Sequence, residues 1–527
     1  MERGSIVENS QKNGKKKKGI IAIVITVLLI AGGSAAAFML NNLSPKQTYF
    51  LAEKETLEYI SERFQERYQE ELDWNEASKE NPTEQTIELT AEYNDPASGG
   101  NYGGFDISQI INNLSVNLSA QTDMENKQIA ATIGASLAGV TVEGLEAYIT
   151  DEKLLVGLPF TEDYLQVKDE DFGPLMYELD PQSFTGEETL ELDTIFEGNG
   201  VITEEDLEYF KKEYFEMVYK DLPDEAFTQS DESADVKEES LNAEKIEFHL
   251  TEEQLKDILT KVFDKLENDE KVKELLRSQM TAQLGGSTID VEADQMISDF
   301  ETAMADAKEG IQEFQIPNGF TSTIWVYEDK IVKRDLQFEL GPNESELALL
   351  SVQGTQLLDD TNQHFNYDFS MKDSSSEGTM NLTGDLAWED NQATDSIKLS
   401  VDGMALSYDG SETLKDGKRT FDRVFSFDDS VTKGSLLWDG SSTFEKDRMN
   451  AEHQFSVESP ELGPDMLAIN LALEGQRIDS IEMPSEENIT DLGSMSAEEL
   501  TEYMETELTP GFEQWLFGIM AGSGAGF

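Results

Sequence analysis

The chain has 527 residues, a formal net charge of -69 and no cysteine. Its length suits two or three domains, and its acidity disfavours simple attraction to nucleic acid or anionic lipid headgroups. Without cysteine there is no disulfide framework, thiolate metal site, cysteine nucleophile or lipidated cysteine. The acidic surface reads as solvated and self-repelling, adapted to an ion-rich exterior.

In chain order, residues 1–18 carry Arg3, Lys12 and Lys15 to Lys18 against Glu2 and Glu8, and read as a basic cytoplasmic tail. Gly19 to Leu40 is uncharged and mostly apolar. As a helix, such a run reaches roughly 33 Å, enough to cross a hydrocarbon core of about 30 Å. The lysines before it predict a transmembrane signal anchor over 19–40, with the N-terminus cytoplasmic and the bulk extracytoplasmic. The alternative is a signal peptide cut in the small-residue zone Ser34 to Ala37, although Phe38, Met39 and Leu40 extend the apolar run beyond it.

Residues 44–75 read as a membrane-proximal amphipathic helix. Ser44-Pro45-Lys46-Gln47 is a capping box, and Phe50, Leu57, Ile60, Phe64, Tyr68 and Leu72 form one apolar stripe. This spacing predicts a helix packed on its own domain. Residues 81–199 change to strand-like alternation, as in Thr86 to Tyr93, Leu114 to Ala120 and Leu154 to Leu158, and predict a first β-rich region. Helical spacing returns over 200–315, with starts at Thr203 and at the capping box Thr251 to Gln254, and the acidic run Ser230 to Glu239 reads as a linker. Residues 318–485 form a second β-rich region. Its four Asp-Gly pairs, at Asp402, Asp409, Asp416 and Asp439, read as hairpin turns. Residues 496–527 give a C-terminal helix broken at Pro510-Gly511, then an apolar and Gly-rich tail too short to span a bilayer.

The expected fold class is α+β: an N-terminal transmembrane helix, then curved antiparallel β-sheets, one large or two related, covered by amphipathic helices. Tyr148 to Val167 (YITDEKLLVGLPFTEDYLQV) has a strand, an acidic turn and two further strands. This layout resembles the curved sheet of the LolA- and LppX-like extracytoplasmic lipoproteins. The overall build resembles uncharacterised single-pass membrane proteins of Gram-positive bacteria. The first resemblance implies a greasy cavity between sheet and helices for a lipid-like ligand, and no functional residue is transferred from it.

No catalytic, cofactor-binding or metal-ligating residue emerges. His249, His364 and His453 lie in separate segments. Paired carboxylates such as Asp359-Asp360, Glu389-Asp390 and Asp428-Asp429 carry little information in so acidic a chain. Gly522-Ser523-Gly524 sits in the tail and lacks the strand-turn-helix setting of a nucleophile elbow. No phosphate loop or calcium loop is present, and turn carboxylates leave room for weak divalent-cation binding only.

The expectation is a non-enzymatic protein without cofactor. It would be held in the cell membrane by one N-terminal helix and bind a lipid-like ligand or an envelope partner, with no nucleic acid. A structural or assembly factor of the envelope and a carboxylate-dependent hydrolase are the alternatives.

Overall fold

The computed structural model describes residues 43–94, 101–102, 105–137, 140–196, 203–284, 289–429 and 431–522. Gly19 to Leu40 lies outside them. Among the described residues no helix is long and apolar enough to cross a membrane.

The chain opens with helices α1 (Pro45–Arg67) and α2 (Gln69–Glu80), then strand β1 (Thr83–Tyr93). A small pair, β2 (Asn101–Tyr102) and β3 (Phe105–Asp106), precedes α3 (Ile107–Ile111). Strands β4 (Ser115–Asp123), β5 (Gln128–Leu137), β6 (Val140–Thr150), β7 (Lys153–Gly157) and β8 (Tyr164–Lys168) lead to α4 (Asp169–Leu179). Helices α5 (Glu204–Phe210) and α6 (Glu216–Asp221) flank a π turn at Lys211–Phe215. Next come β9 (Phe227–Val236), β10 (Glu239–Leu250), α7 (Glu252–Asn268), α8 (Glu270–Leu284) and α9 (Ile289–Glu313).

Eleven consecutive strands follow: β11 (Phe320–Tyr327), β12 (Lys330–Leu340), β13 (Ala348–Leu358), β14 (Asn362–Lys372), β15 (Glu377–Glu389) and β16 (Gln392–Val401), then β17 (Met404–Lys415), β18 (Lys418–Asp428), β19 (Lys433–Phe444), β20 (Arg448–Glu458) and β21 (Leu467–Arg477). The chain ends with β22 (Ile489–Asp491), α10 (Ala497–Tyr503) and α11 (Thr509–Gly522).

The local chemistry explains the boundaries. The Ser44 hydroxyl accepts the Gln47 backbone N–H while the Gln47 side chain accepts from Ser44, closing the box that starts α1. Thr203, Thr251 and Ser496 start α5, α7 and α10 in the same way. Asp402-Gly403 and Asp416-Gly417 take positive φ at both residues, as two-residue hairpin turns require. The other two Asp-Gly pairs are not turns. Gly410 and Gly440 lie inside β17 and β19, where a Cβ would meet the Tyr408 hydroxyl at 2.4 Å and the Glu452 carbonyl at 2.3 Å. The acidic run Ser230 to Glu239 is not a linker either; it forms most of β9 and the turn into β10. Pro510 does not break the C-terminal helix: α10 runs through a π turn at Met504–Leu508 directly into α11, which contains Pro510.

Twenty strands form one sheet. From β22 the pairings run through β8, β7, β6, β5 and β4 to β1, and then from β21 backwards through successive strands to β9. Among the described strands only the β22–β8 pair is parallel. Strand β1 is the seam: it pairs with β4 on one side and with β21, from Thr83↔Arg477 to Tyr93↔Leu467, on the other. The two β-rich stretches of sequence therefore merge into one sheet.

This corrects the expected α+β class with one or two helix-covered sheets. The fold is mostly β, and its helices are confined to parts of the sheet. The main core lies at the β9–β12 end. There Tyr49 and Phe50 of α1, Leu259, Val262 and Phe263 of α7, and Met304 and Ile311 of α9 bury Phe227, Ile246, Phe248, Phe320 and Ile324. At the other end, Phe512 and Trp515 of α11 pack their rings on Phe160. Among the described residues, the strands between carry only α1 and α2 across one end.

Candidate functional site: the open apolar face

Directly opposed residues in an antiparallel ladder share a face, so the registers sort every side chain of the central strands. On one face Phe369, Met380, Val401 and Met404 align across β14–β17. Beside them run Ile397, Tyr408, Phe425, Leu436 and Val457 across β16–β20. Trp438, Phe455 and Ile469 continue the pattern into β21, followed by Leu471 against Leu89 of β1. The opposite face carries residues such as Ser396, Ser407, Asp409, Asp422 and Asp439. Apart from the charged cluster of Asp395, Glu412, Arg419 and Arg423 at one end, this face is therefore apolar and the other polar. Aromatic rings reinforce the apolar side: Tyr408–Phe425 at 5.0 Å, and Trp438–Phe455 near-parallel at 5.5 Å.

Helices α1 and α2 cover only one end of this face, running across the strands where β13, β15, β17 and β19 finish. Tyr59 Oη donates to the Asp359 carbonyl, and Arg63 donates to that of Asp360. Further along, Arg67 grips the Asp395 carboxylate with both terminal nitrogens, at 3.0 and 2.7 Å, and reaches Glu412 with Nε at 2.7 Å. Arg419 joins Glu412 to Glu71 at 2.7 and 2.6 Å, and caps the Arg67 carbonyl. Finally Trp74 packs on Gly475, where a Cβ would lie 2.8 Å from its ring.

The side chains of Arg67, Asp395, Glu412 and Arg419 are all at most 13% exposed. Burial pushes the Glu412 carboxyl up, but the Arg67 hydrogen bond and the charges of Arg67, Arg419 and Arg423 outweigh it, leaving the group below its ordinary value. The cluster holds because each charge is paired; deleting one partner strands the others.

The expected stripe of α1 does not do the packing. Phe50 is buried, yet Leu57, Ile60 and Phe64, and Leu72 in α2, are exposed, because Tyr49, Thr56 and Arg67 turn an adjacent side of α1 to the sheet. Ile60 and Phe64 instead line a cavity of about 150 Å³ with Leu386 and Trp388 of the apolar face.

Beyond the helices, no other described segment covers the face. Leu406, Phe425, Leu436, Val457 and Ile469 are 38–46% exposed, and Met371 and Met404 are exposed beside them. Strand β17, with 12 residues, is roughly 40 Å long, whereas a helix with its side chains covers about 10 Å. One crossing helix thus leaves most of each strand uncovered.

Among the described residues the candidate chemical groups stay dispersed. The three histidines remain apart: His249 bonds Thr321 at 3.0 Å, His364 bonds Asp385 at 2.9 Å, and His453 faces the Trp438 Nε1 at 3.2 Å. Burial first, and then the Arg423 charge, lower the pKa of His453. Asp359 takes up turn N–H groups, and Glu389 and Asp390 lie at the β15–β16 turn. Among the described residues no group of histidines and carboxylates is placed to hold a metal ion.

No protein-family profile and no curated protein matches the chain. Matching solved structures include OccK3 (OpdO) of Pseudomonas aeruginosa, with 6% identity, TM-score 0.24, and coverage of 76% of this chain and 95% of that one. A BenF-like porin from Pseudomonas fluorescens Pf-5 gives 7% identity, TM-score 0.24, and coverage of 76% and 97%. A loop-deleted OmpT, an outer membrane protein of Vibrio cholerae, gives 6%, 0.20, and 75% and 97%. At these scores no activity is transferred from them.

Several expectations are nevertheless corrected: where a LolA- or LppX-like carrier and a Gram-positive single-pass build were expected, the matches named here include a porin and an outer membrane protein. The expected lipid-binding or envelope-assembly protein, anchored in the cell membrane by one N-terminal helix, is likewise set aside. None of the three matches named above is described as such a protein; Gly19 to Leu40 itself lies outside the described residues, among which no helix is long and apolar enough to cross a membrane.

Proposed function

We propose that the protein is a non-enzymatic binding platform whose bare sheet face takes up the apolar side of an amphipathic polypeptide segment. The observation that carries this is the in-register apolar face of β14–β21, left 38–46% exposed at Leu406, Phe425, Leu436, Val457 and Ile469. Large exposed apolar patches on a folded chain mark interaction surfaces, and this one is rimmed by polar turns. Helix α1 shows how a helix is received, since it lies across the near end of the same face. A second helix beside it would bury side chains worth about 1.5–3 kcal/mol each when fully covered.

Trp438 lies in this face, so its fluorescence reports occupancy. Titrating the full chain with a helical peptide bearing one leucine stripe should blue-shift and saturate the signal. A flat titration, or one in which detergent monomers bind and every peptide fails, would end this assignment.

A further inference from the structure

The uncovered half of the face has a second border. Opposite the end held by α1, the strands finish in the turns β13–β14's far counterparts: β14–β15, β16–β17, β18–β19 and β20–β21. These turns and their flanks hold Asp373, Asp402, Asp429, Glu458, Glu461 and Asp465. The two lysines among them are already engaged, Lys372 with Glu377 at 3.0 Å and Lys433 with Asp428 at 2.7 Å. Asp402, Glu458, Glu461 and Asp465 are exposed. Turn geometry alone accounts for Asp373 and Asp429, which accept the N–H groups of Ser375 and Ser376, and of Val431 and Thr432. It does not account for Glu461 or Asp465 ending at the same border; Glu458, opposite Ser435, belongs to the polar face.

Building on the function proposed above, we infer that the occupant is a basic amphipathic helix of another protein, laid across the strands beside α1. Its apolar side rests on Leu406, Phe425 and Leu436, and its lysines or arginines meet the acidic turns. The pairing already exists once within the chain: Arg67, on a helix crossing this face, forks onto Asp395 and Glu412 of the sheet. A second copy of the chain is a poor occupant, since each carries a net charge of -69. An anionic helix would meet the same repulsion. A purely apolar ligand would leave the acidic border without a partner.

Three helical peptides of ~18 residues, roughly 27 Å long, test this on the full chain. They share one leucine stripe and differ in polar residues: lysine, glutamine or glutamate. The lysine peptide should bind at least about tenfold more tightly than the glutamine peptide, and the glutamate peptide weakest, with the preference falling as salt rises from about 0.05 to 0.5 M. Replacing Asp402→Asn, Glu461→Gln and Asp465→Asn together should erase the preference. Replacing Asp409→Asn, Asp422→Asn and Asp439→Asn on the polar face should leave it intact, and circular dichroism would confirm that both variants are folded. Equal binding of all three peptides would overturn the basic-partner inference while leaving the platform standing. Binding of none would remove the platform itself. Self-association of the free chain through this face would also overturn it, by making a second copy the occupant.

Discussion

Arg419 sits where α2, β17 and the Arg67 carbonyl meet, its side chain 4% exposed, with Glu412 at 2.7 Å and Glu71 at 2.6 Å. Removing it leaves Glu412 buried with fewer partners. Arg419→Met should therefore destabilise the fold by about 3–5 kcal/mol in chemical denaturation, the usual cost of stranding a buried charge. Gly440 makes a different demand. A Cβ there would lie 2.3 Å from the Glu452 carbonyl and 2.9 Å from the Phe421 ring. Gly440→Ala should cost about 1–3 kcal/mol, read as a lower melting temperature. On the polar face Asp422 and Asp439 stand directly opposite each other and both are exposed. Asp422→Asn should raise stability by a few tenths of a kcal/mol at low salt and by nothing at high salt. The glycine requirement was invisible in sequence, because Asp439-Gly440 has the composition of a turn. What separates it from Asp402-Gly403 is register: a bulky ring and a neighbouring carbonyl leave no space for a side chain.

Helix α1 joins two kinds of contact in one element. Its first half is fixed by aromatic packing, with Tyr49 against Phe227 and Phe248, and by the Tyr49 hydroxyl on Ser322 at 2.7 Å. Its last turn, with α2, is fixed by the ion cluster. Acid should act on the second half first. The Glu412 carboxyl titrates below its ordinary value of 4.5 when folded, so its contribution is complete above that pH and is lost as pH falls through the folded value. Hydrogen exchange should show protection of Ala77 to Asn81 falling below about pH 4.5 while α7 remains protected. Loss of both together would show that the two halves do not open separately. The capping boxes at Ser44, Thr203, Thr251 and Ser496 were legible because the cap is a local, four-residue device. The packed side of α1 was not. Apolar periodicity selected Leu57, Ile60 and Phe64, whereas the ion pairs of Arg67 with residues more than 300 positions away decide which side faces the sheet.

At the scale of the whole molecule, alternation in single strands foretold an antiparallel sheet but not its extent. The joining of β1 to β21 spans nearly 400 residues, and only the register shows that two β-rich stretches become one surface. The same register shows that the helices available are too few and too localised to cover it. A bare apolar face was thus implicit in the excess of alternating strands over amphipathic helices, although the expected helical layer hid it. The central claim is that this face binds a polypeptide without being needed to hold the fold. Leu436→Asp places a charge at a half-exposed position of the face, and Ile324→Asp places one in the helix-covered core, where Ile324 is fully buried. The most direct measurement is peptide binding by Trp438 fluorescence, set beside the melting temperature of each variant. Leu436→Asp should keep the melting temperature within a few degrees and weaken the leucine–lysine peptide by at least about tenfold, whereas Ile324→Asp should unfold the chain. Unchanged binding by a folded Leu436→Asp variant would contradict the account.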